Sequence, residues 1–149
     1  MHKINKEGTI QQFIIKKRGF HPFLIKGDWQ VAQLNYIEDQ DIKNIEKIDV
    51  HYETDEVFVL LEGEAVLIAA VFENNRLSFT AEYMKPMVTY NVPKGTWHNI
   101  AMEKESKVLI VEKANTHLSD FEYYKLDLEQ LSAMRVEVNK VLTNNRLKK

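Results

Sequence analysis

The stretch from Glu56 to Glu112 constrains the fold of this 149-residue chain more than any other. It is a train of short β-rich runs cut at even intervals by turn residues. Glu56 to Leu61 (EVFVLL) stops at Glu62-Gly63-Glu64. Ala65 to Phe72 (AVLIAAVF) stops at Asn74-Asn75, a pair that tolerates the positive φ of a tight hairpin. Leu77 to Met84 alternates large and polar residues up to Pro86, and Val88 to Val92 is cut by Pro93-Lys94-Gly95. Trp97 to Ala101 and Lys107 to Glu112 complete the series. Upstream, Gln12 to Lys16 and Pro22 to Lys26 are split by Gly19. Trp29 to Ile37 follows a Gly27-Asp28 turn, and Asp39 to Ile48 reads as a loop or a short helix. Many short strands with regular turns predict an all-β sandwich or barrel.

One helix is expected at the C-terminal end, over about 127–143. Asp127 is its N-cap, with Gln130 three residues on as in a capping box. Leu128, Leu131, Met134, Val138, Val141 and Leu142 fall on one face, suited to packing on the barrel wall or to part of a dimer contact. Arg146 to Lys149 reads as a solvated, frayed end. With no linker, repeat or low-complexity segment, residues 1–149 read as a single domain.

Composition removes several classes of function. The absence of Cys excludes disulfides, thiolate zinc sites, iron–sulfur clusters and thiol nucleophiles. Twenty basic against 22 acidic residues leave a net charge of -2, which argues against a nucleic-acid partner. No apolar segment follows the first charges, and Ala65 to Phe72 is too short to cross a bilayer, so a soluble, cytoplasmic protein with no membrane partner is expected. Neither a Gly-rich phosphate loop nor Gly-x-Ser-x-Gly is present.

One constellation carries chemistry. In Asp49 to Gly63 (DVHYETDEVFVLLEG), His51 is followed by four residues and Glu56, then by six and Gly63; in PKGTWH, Pro93 and Gly95 precede His98. Two imidazoles and a carboxylate suit Fe, Mn, Ni, Co or Zn as a divalent ion and leave positions open for water or substrate. Side chains alternate along a strand, so His51 shares a face with Asp49. The odd separation of His51 and Glu56 calls for a bulge, expected at Glu53-Thr54-Asp55.

These residues resemble the cupin superfamily over about Trp29 to Glu112. His51, Glu56 and Gly63 match the second His, the Glu and the closing Gly of the first cupin motif, and Pro93, Gly95 and His98 match the second motif. Asp49 stands where the family's first His does, Lys43 where a Gly does, and Met102 where an Asn does. The resemblance, strongest to small single-domain bacterial cupins, implies a double-stranded β-helix, the jelly-roll barrel. It implies a metal held inside by His51, Glu56 and His98, with Asp49 as a possible fourth ligand. Glu53 and Asp55 flank the motif as solvated loop charges or as partners of the ligands.

Trp29, Tyr36, Phe58, Tyr83, Tyr90 and Trp97 suffice to line a pocket mouth or to fill the core, and Tyr36, Phe58 and Tyr90 are the expected lining. His2, His21 and His117 have no motif context and read as surface residues. No general base stands out; Tyr36, Glu53 and Tyr90 are candidates. Two functions follow from the resemblance. One is a metal-dependent enzyme (isomerase, epimerase, lyase, decarboxylase or dioxygenase chemistry) acting on a small polar or anionic metabolite. The other is a non-catalytic module that binds a small ligand and has a degenerate metal site. A homodimer is expected in either case, formed through the strands between Gln12 and Lys26, which would otherwise leave a β-edge exposed.

Overall fold

A computed structural model describes residues 2–5 and 10–149. Among the described residues twelve strands run in the order β1 His2–Asn5, β2 Gln11–Ile14, β3 Gly19–Lys26, β4 Trp29–Asn35, β5 Lys47–Val50, β6 Glu56–Glu62, β7 Ala65–Glu73, β8 Arg76–Tyr83, β9 Thr89–Val92, β10 Trp97–Met102, β11 Lys107–Lys113 and β12 Glu122–Lys125. A short helix α1, Thr116–Ser119, precedes β12, and α2, Leu128–Arg146, follows it. Strands β1 and β2 form a two-stranded ribbon. The others form two antiparallel five-stranded sheets, ordered β12-β5-β10-β7-β8 and β3-β4-β11-β6-β9. This is an all-β barrel, as the strand pattern predicts, of the jelly-roll type that the resemblance implies. No described helix is long and apolar enough to cross a membrane.

Strand parity explains the layers. Ala32, Leu34, Phe58, Leu60, Ala65, Leu67, Ile100, Met102, Val108 and Ile110 point between the sheets and form one buried cluster. Val66, Ile68, Ala70 and Ala101 alternate with them on β7 and β10. They face outward and pack under α2 with Met134, Val138 and Leu142. A strand covered on both faces needs apolar residues at successive positions, which is why β7 reads as an unbroken apolar run. β8 lies at a sheet edge and alternates.

Turn chemistry sets the register. Asn74 (φ 48°) and Asn75 (φ 61°) both take left-handed backbone, so β7 and β8 pair as a tight hairpin down to Glu73 and Arg76. Gly63 closes the β6–β7 turn at φ 87°, where a Cβ would lie 2.7 Å from the Ser106 Cα. Any larger residue there is opposed by both the torsion and the neighbouring backbone. The capping box at Asp127 is formed as expected: its carboxylate accepts from the Gln130 backbone N–H, and the Gln130 side chain accepts from the Asp127 N–H.

Three local expectations are corrected. Residues 51–55 make no bulge within one strand; they carry the chain from β5 in one sheet to β6 in the other, which gives His51 and Glu56 a common target despite their odd spacing. The polar stretch from Asp39 is the expected loop with a short helix, the 3₁₀ turn Glu38–Gln40, up to the start of β5 at Lys47. Leu128 is not part of the buried face of α2 and is 86% exposed. The chain end is not free: Arg146 donates to Glu64 and Glu103, and Lys149 lies 3.6 Å from Glu64.

Candidate metal centre

The site lies at the end of the barrel where β6 and β10 begin and β5 and β11 finish. Glu56 is two residues before Phe58 and His98 two before Ile100, so both share the inward face with those core residues. His98 is the direct cross-strand partner of Asp49 in the β5–β10 ladder. His51 follows Asp49 by two and faces the same way. The turn at Gly95 (φ 80°) brings β10 back to this point, and its N–H donates to the His51 carbonyl at 2.7 Å. Asp55 anchors that turn by accepting from Lys94 N–H and Asn91 Nδ2, both at 3.0 Å.

The donor atoms converge. His51 Nε2 is 3.0 Å and His98 Nε2 2.8 Å from the same oxygen, Glu56 Oε2, and Asp49 Oδ2 is 3.6 Å from His51 Nε2. All but Asp49 are buried. Each ring is oriented from behind: His51 Nδ1 donates to the Asp120 carbonyl at 2.6 Å, and His98 Nδ1 to the Thr96 carbonyl at 2.9 Å. A carbonyl only accepts, so these partners place the neutral ring's proton on Nδ1 and its lone pair on Nε2. Two Nε2 lone pairs then meet a carboxylate oxygen, which is also an acceptor. Such a triad holds together only with positive charge in its midst, a proton on the rings or a cation between them. Ligands about 2.1 Å from one cation and at right angles lie about 3 Å apart, so the spacing fits a divalent transition metal.

Electrostatics describe the protonated alternative. Burial by itself would lower the His51 pKa, but the hydrogen bond and charge of Glu56 outweigh it and raise it to about 9. His98 is raised for the same reason against the same opposing burial. Burial would raise Glu56, but its bonds to the two imidazoles hold it well below the usual carboxylate range. Burial pushes Asp49 up.

Sequence reasoning missed Glu112 and His117, which line this cavity, and Gln30, which bonds to both. Glu112, on β11, is two beyond Ile110 and so points inward; an oxygen of it lies within 4.8 Å of donor atoms of both His51 and Glu56. Burial and the Glu56 charge push its pKa up to about 7. Gln30, fully buried, holds it: Nε2 donates to Glu112 at 2.9 Å and to His117 Nδ1 at 3.2 Å, and Oε1 accepts from Asn115 N–H. His117 is therefore no surface residue; it is half-buried and lines the cavity. Parity along VLIVE would have found Glu112, but nothing local marks Gln30 or His117.

The cavity is about 420 Å³, with Phe20, Phe58 and Ile110 among its apolar walls and Phe121, Tyr123 and Lys47 also lining it. Of the expected lining residues it includes Phe58 but neither Tyr36 nor Tyr90. Tyr36 is buried beyond the far end of β4, next to Ser106, and its hydroxyl is bonded to Asp41. The Tyr90 ring packs on the core cluster while its hydroxyl accepts from Lys85 N–H. Trp97 packs outside, against Phe72 and Tyr124.

No family model matches the chain. No curated protein matches it either. Solved structures do. CapF, a capsular polysaccharide assembling protein of Staphylococcus aureus, aligns with a TM-score of 0.52 at 18% identity over 76% of this chain and 34% of its own, so the chain spans about a third of that protein. A cupin-2 domain protein of Shewanella frigidimarina aligns at 0.45 and 20% identity, covering 66% of this chain and 84% of its own. A cupin superfamily protein of Desulfitobacterium hafniense aligns at 0.47 and 20% identity, over 67% and 84%. At 18% identity the likeness to CapF speaks of the fold alone.

Proposed function

We propose, from the premise that this chain has the cupin fold, that it holds one divalent transition metal through His51, Glu56 and His98, with Asp49 as fourth ligand, and acts as a metal-dependent enzyme on a small polar or anionic metabolite. The observation that carries this reading is the convergence of two Nε2 lone pairs on Glu56 Oε2 in a buried site. A cation there replaces two protons and neutralises the carboxylates.

The chain's own groups set the rest. The Asp120 and Thr96 carbonyls aim the rings. Phe58, Ile110 and Phe20 exclude water from one side, which strengthens every electrostatic contact on the other. A cavity of about 420 Å³ suits a small molecule. A bound cation would supply Lewis-acid polarisation of a ligand oxygen. Tyr36 and Tyr90 lie outside the cavity lining, so neither is offered as a base.

Elemental analysis of untagged protein, beside a His51→Ala/His98→Ala variant, tests the reading. About one equivalent of a transition metal per chain is expected in the parent and none in the folded variant. Parent protein that stays folded but takes up no Fe, Mn, Ni, Co or Zn would instead favour a ligand-binding module with a degenerate site.

A further inference from the structure

Beside the converging histidines, with a Glu112 oxygen within 4.8 Å of donor atoms of His51 and Glu56, stands a second polar group that the metal reading does not use. Glu112 Oε1 accepts from Gln30, but Oε2 has no hydrogen-bond partner among the described residues, although Glu112 is only 6% exposed. His117 Nδ1 accepts the other proton of the Gln30 amide, so its ring proton sits on Nε2, which is also without a partner there. The Gln30 carbonyl is occupied by Asn115 N–H, so the amide cannot flip without losing a bond. One acceptor and one donor are thus held on the cavity wall by a side chain that is itself fully buried. A hydroxyl group, which donates and accepts at once, answers both.

The charge of the wall narrows the ligand further. The cavity lining holds four carboxyl groups, Asp39, Asp49, Glu56 and Glu112, against one ammonium group, that of Lys47. Lys47 is itself engaged, with Nζ 3.8 Å from the Tyr123 ring centroid. A dication among the histidines would favour the ionised form of all four carboxyl groups, so the wall even then has no surplus positive charge for a phosphate or a dicarboxylate.

We infer that Glu112 and His117, held by Gln30, form a hydroxyl-binding pole, and that the ligand of this cavity is a neutral polyhydroxylated molecule of polyol or simple-sugar type. The inference rests on the metal reading only for the second anchor of the ligand. Glu112 binds ligand and is not a metal ligand.

The test uses protein loaded with Co(II), whose visible absorption reports the coordination sphere, and a panel of glycerol, xylitol, D-xylose and D-mannose beside inorganic phosphate and malonate. At least one neutral member should shift the spectrum saturably at millimolar concentration, and the two anions should not. Glu112→Gln and His117→Phe, each shown folded by circular dichroism, should keep the parent's Co(II) content and weaken that neutral ligand about tenfold or more. Loss of Co(II) from folded Glu112→Gln makes Glu112 a metal ligand and overturns the inference. So does a response to the anions alone, or to no member of the panel. If the parent takes up no Co(II), the metal reading has failed, and calorimetry of the same panel decides the pole separately. Unequal binding to parent and Glu112→Gln then sustains it, and equal or absent binding ends it.

Discussion

At the residue scale, Glu56 decides the chemistry of the site. It is a buried carboxylate that two imidazoles share through one oxygen, and burying an unpartnered charge there would be costly. Its motif spacing was readable, because a strand's parity and a fixed interval are local properties. Glu112 was equally readable by parity yet unmarked by any motif. The pH behaviour follows from the same atoms. In the metal-free protein the His51 pKa stands at about 9 against an ordinary 6.5. A raised imidazole contributes stability that is fully present below about 6.5 and lost as pH climbs through 9. Glu112, raised from 4.5 to about 7, has the same sign: its neutral form is favoured, and that advantage is lost as pH rises through 7. Chelator-treated protein should therefore melt at a lower temperature above this window than below it. Added metal, which takes the place of the protons, should close the gap by stabilising most at the high end. Thermal melts with and without metal across the range check both signs. A flat profile in the metal-free protein would contradict the shared proton arrangement.

At the element scale, the segment 116–125 does what no strand of the motif does. The Asp120 carbonyl aims His51, and its carboxylate accepts from the backbone N–H groups of Tyr52 and Glu53 at 2.9 and 3.0 Å, so it fixes the crossing between β5 and β6. β12 then pairs with β5 and forms that edge of the sheet. Replacing Asp120 by Ala removes both acceptors while keeping the carbonyl. The expected result is a 10- to 100-fold loss of metal affinity, with a fold weakened by about 2 kcal/mol, read by metal titration and by denaturant unfolding of the metal-free form. Unchanged affinity would show that the Asp120 carboxylate does not set the position of His51. This segment escaped the sequence reading because α1 and β12 are four residues each, too short to show a period. By contrast α2, with its capping box and a stripe through Met134, Val138 and Leu142, was legible nearly to its ends.

At the scale of the whole molecule, β3 is an eight-residue edge strand whose outer side has no partner in its sheet. Such an edge invites pairing with a second copy, and the expected state is a homodimer. Sedimentation at micromolar concentration should give twice the chain mass of 17.5 kDa, and a single-chain mass would rule this out. The order of the strands was not legible. Runs such as EVFVLL, AVLIAAVF and KVLIVE announce strands and their inward faces, because alternation and turn residues act over a few neighbours. They do not say that β6 pairs with β11 and β9, or β10 with β5 and β7. Those pairings join residues far apart in the chain and are chosen by which arrangement buries both apolar faces of β7 at once. The alternation of residues, the turns at Gly63 and Asn74-Asn75, and the spacing of His51, Glu56 and His98 were legible from local chemistry alone. The meeting of Glu112, Gln30 and His117 was not, nor the carbonyl behind His51, nor the exclusion of Tyr36 and Tyr90 from the cavity. Glu112 meets Gln30 as its partner in the β4–β11 ladder, and the carbonyl behind His51 comes from the segment that leads into β12, the partner of β5; each of these depends on how distant strands come together, which leaves no pattern along the chain.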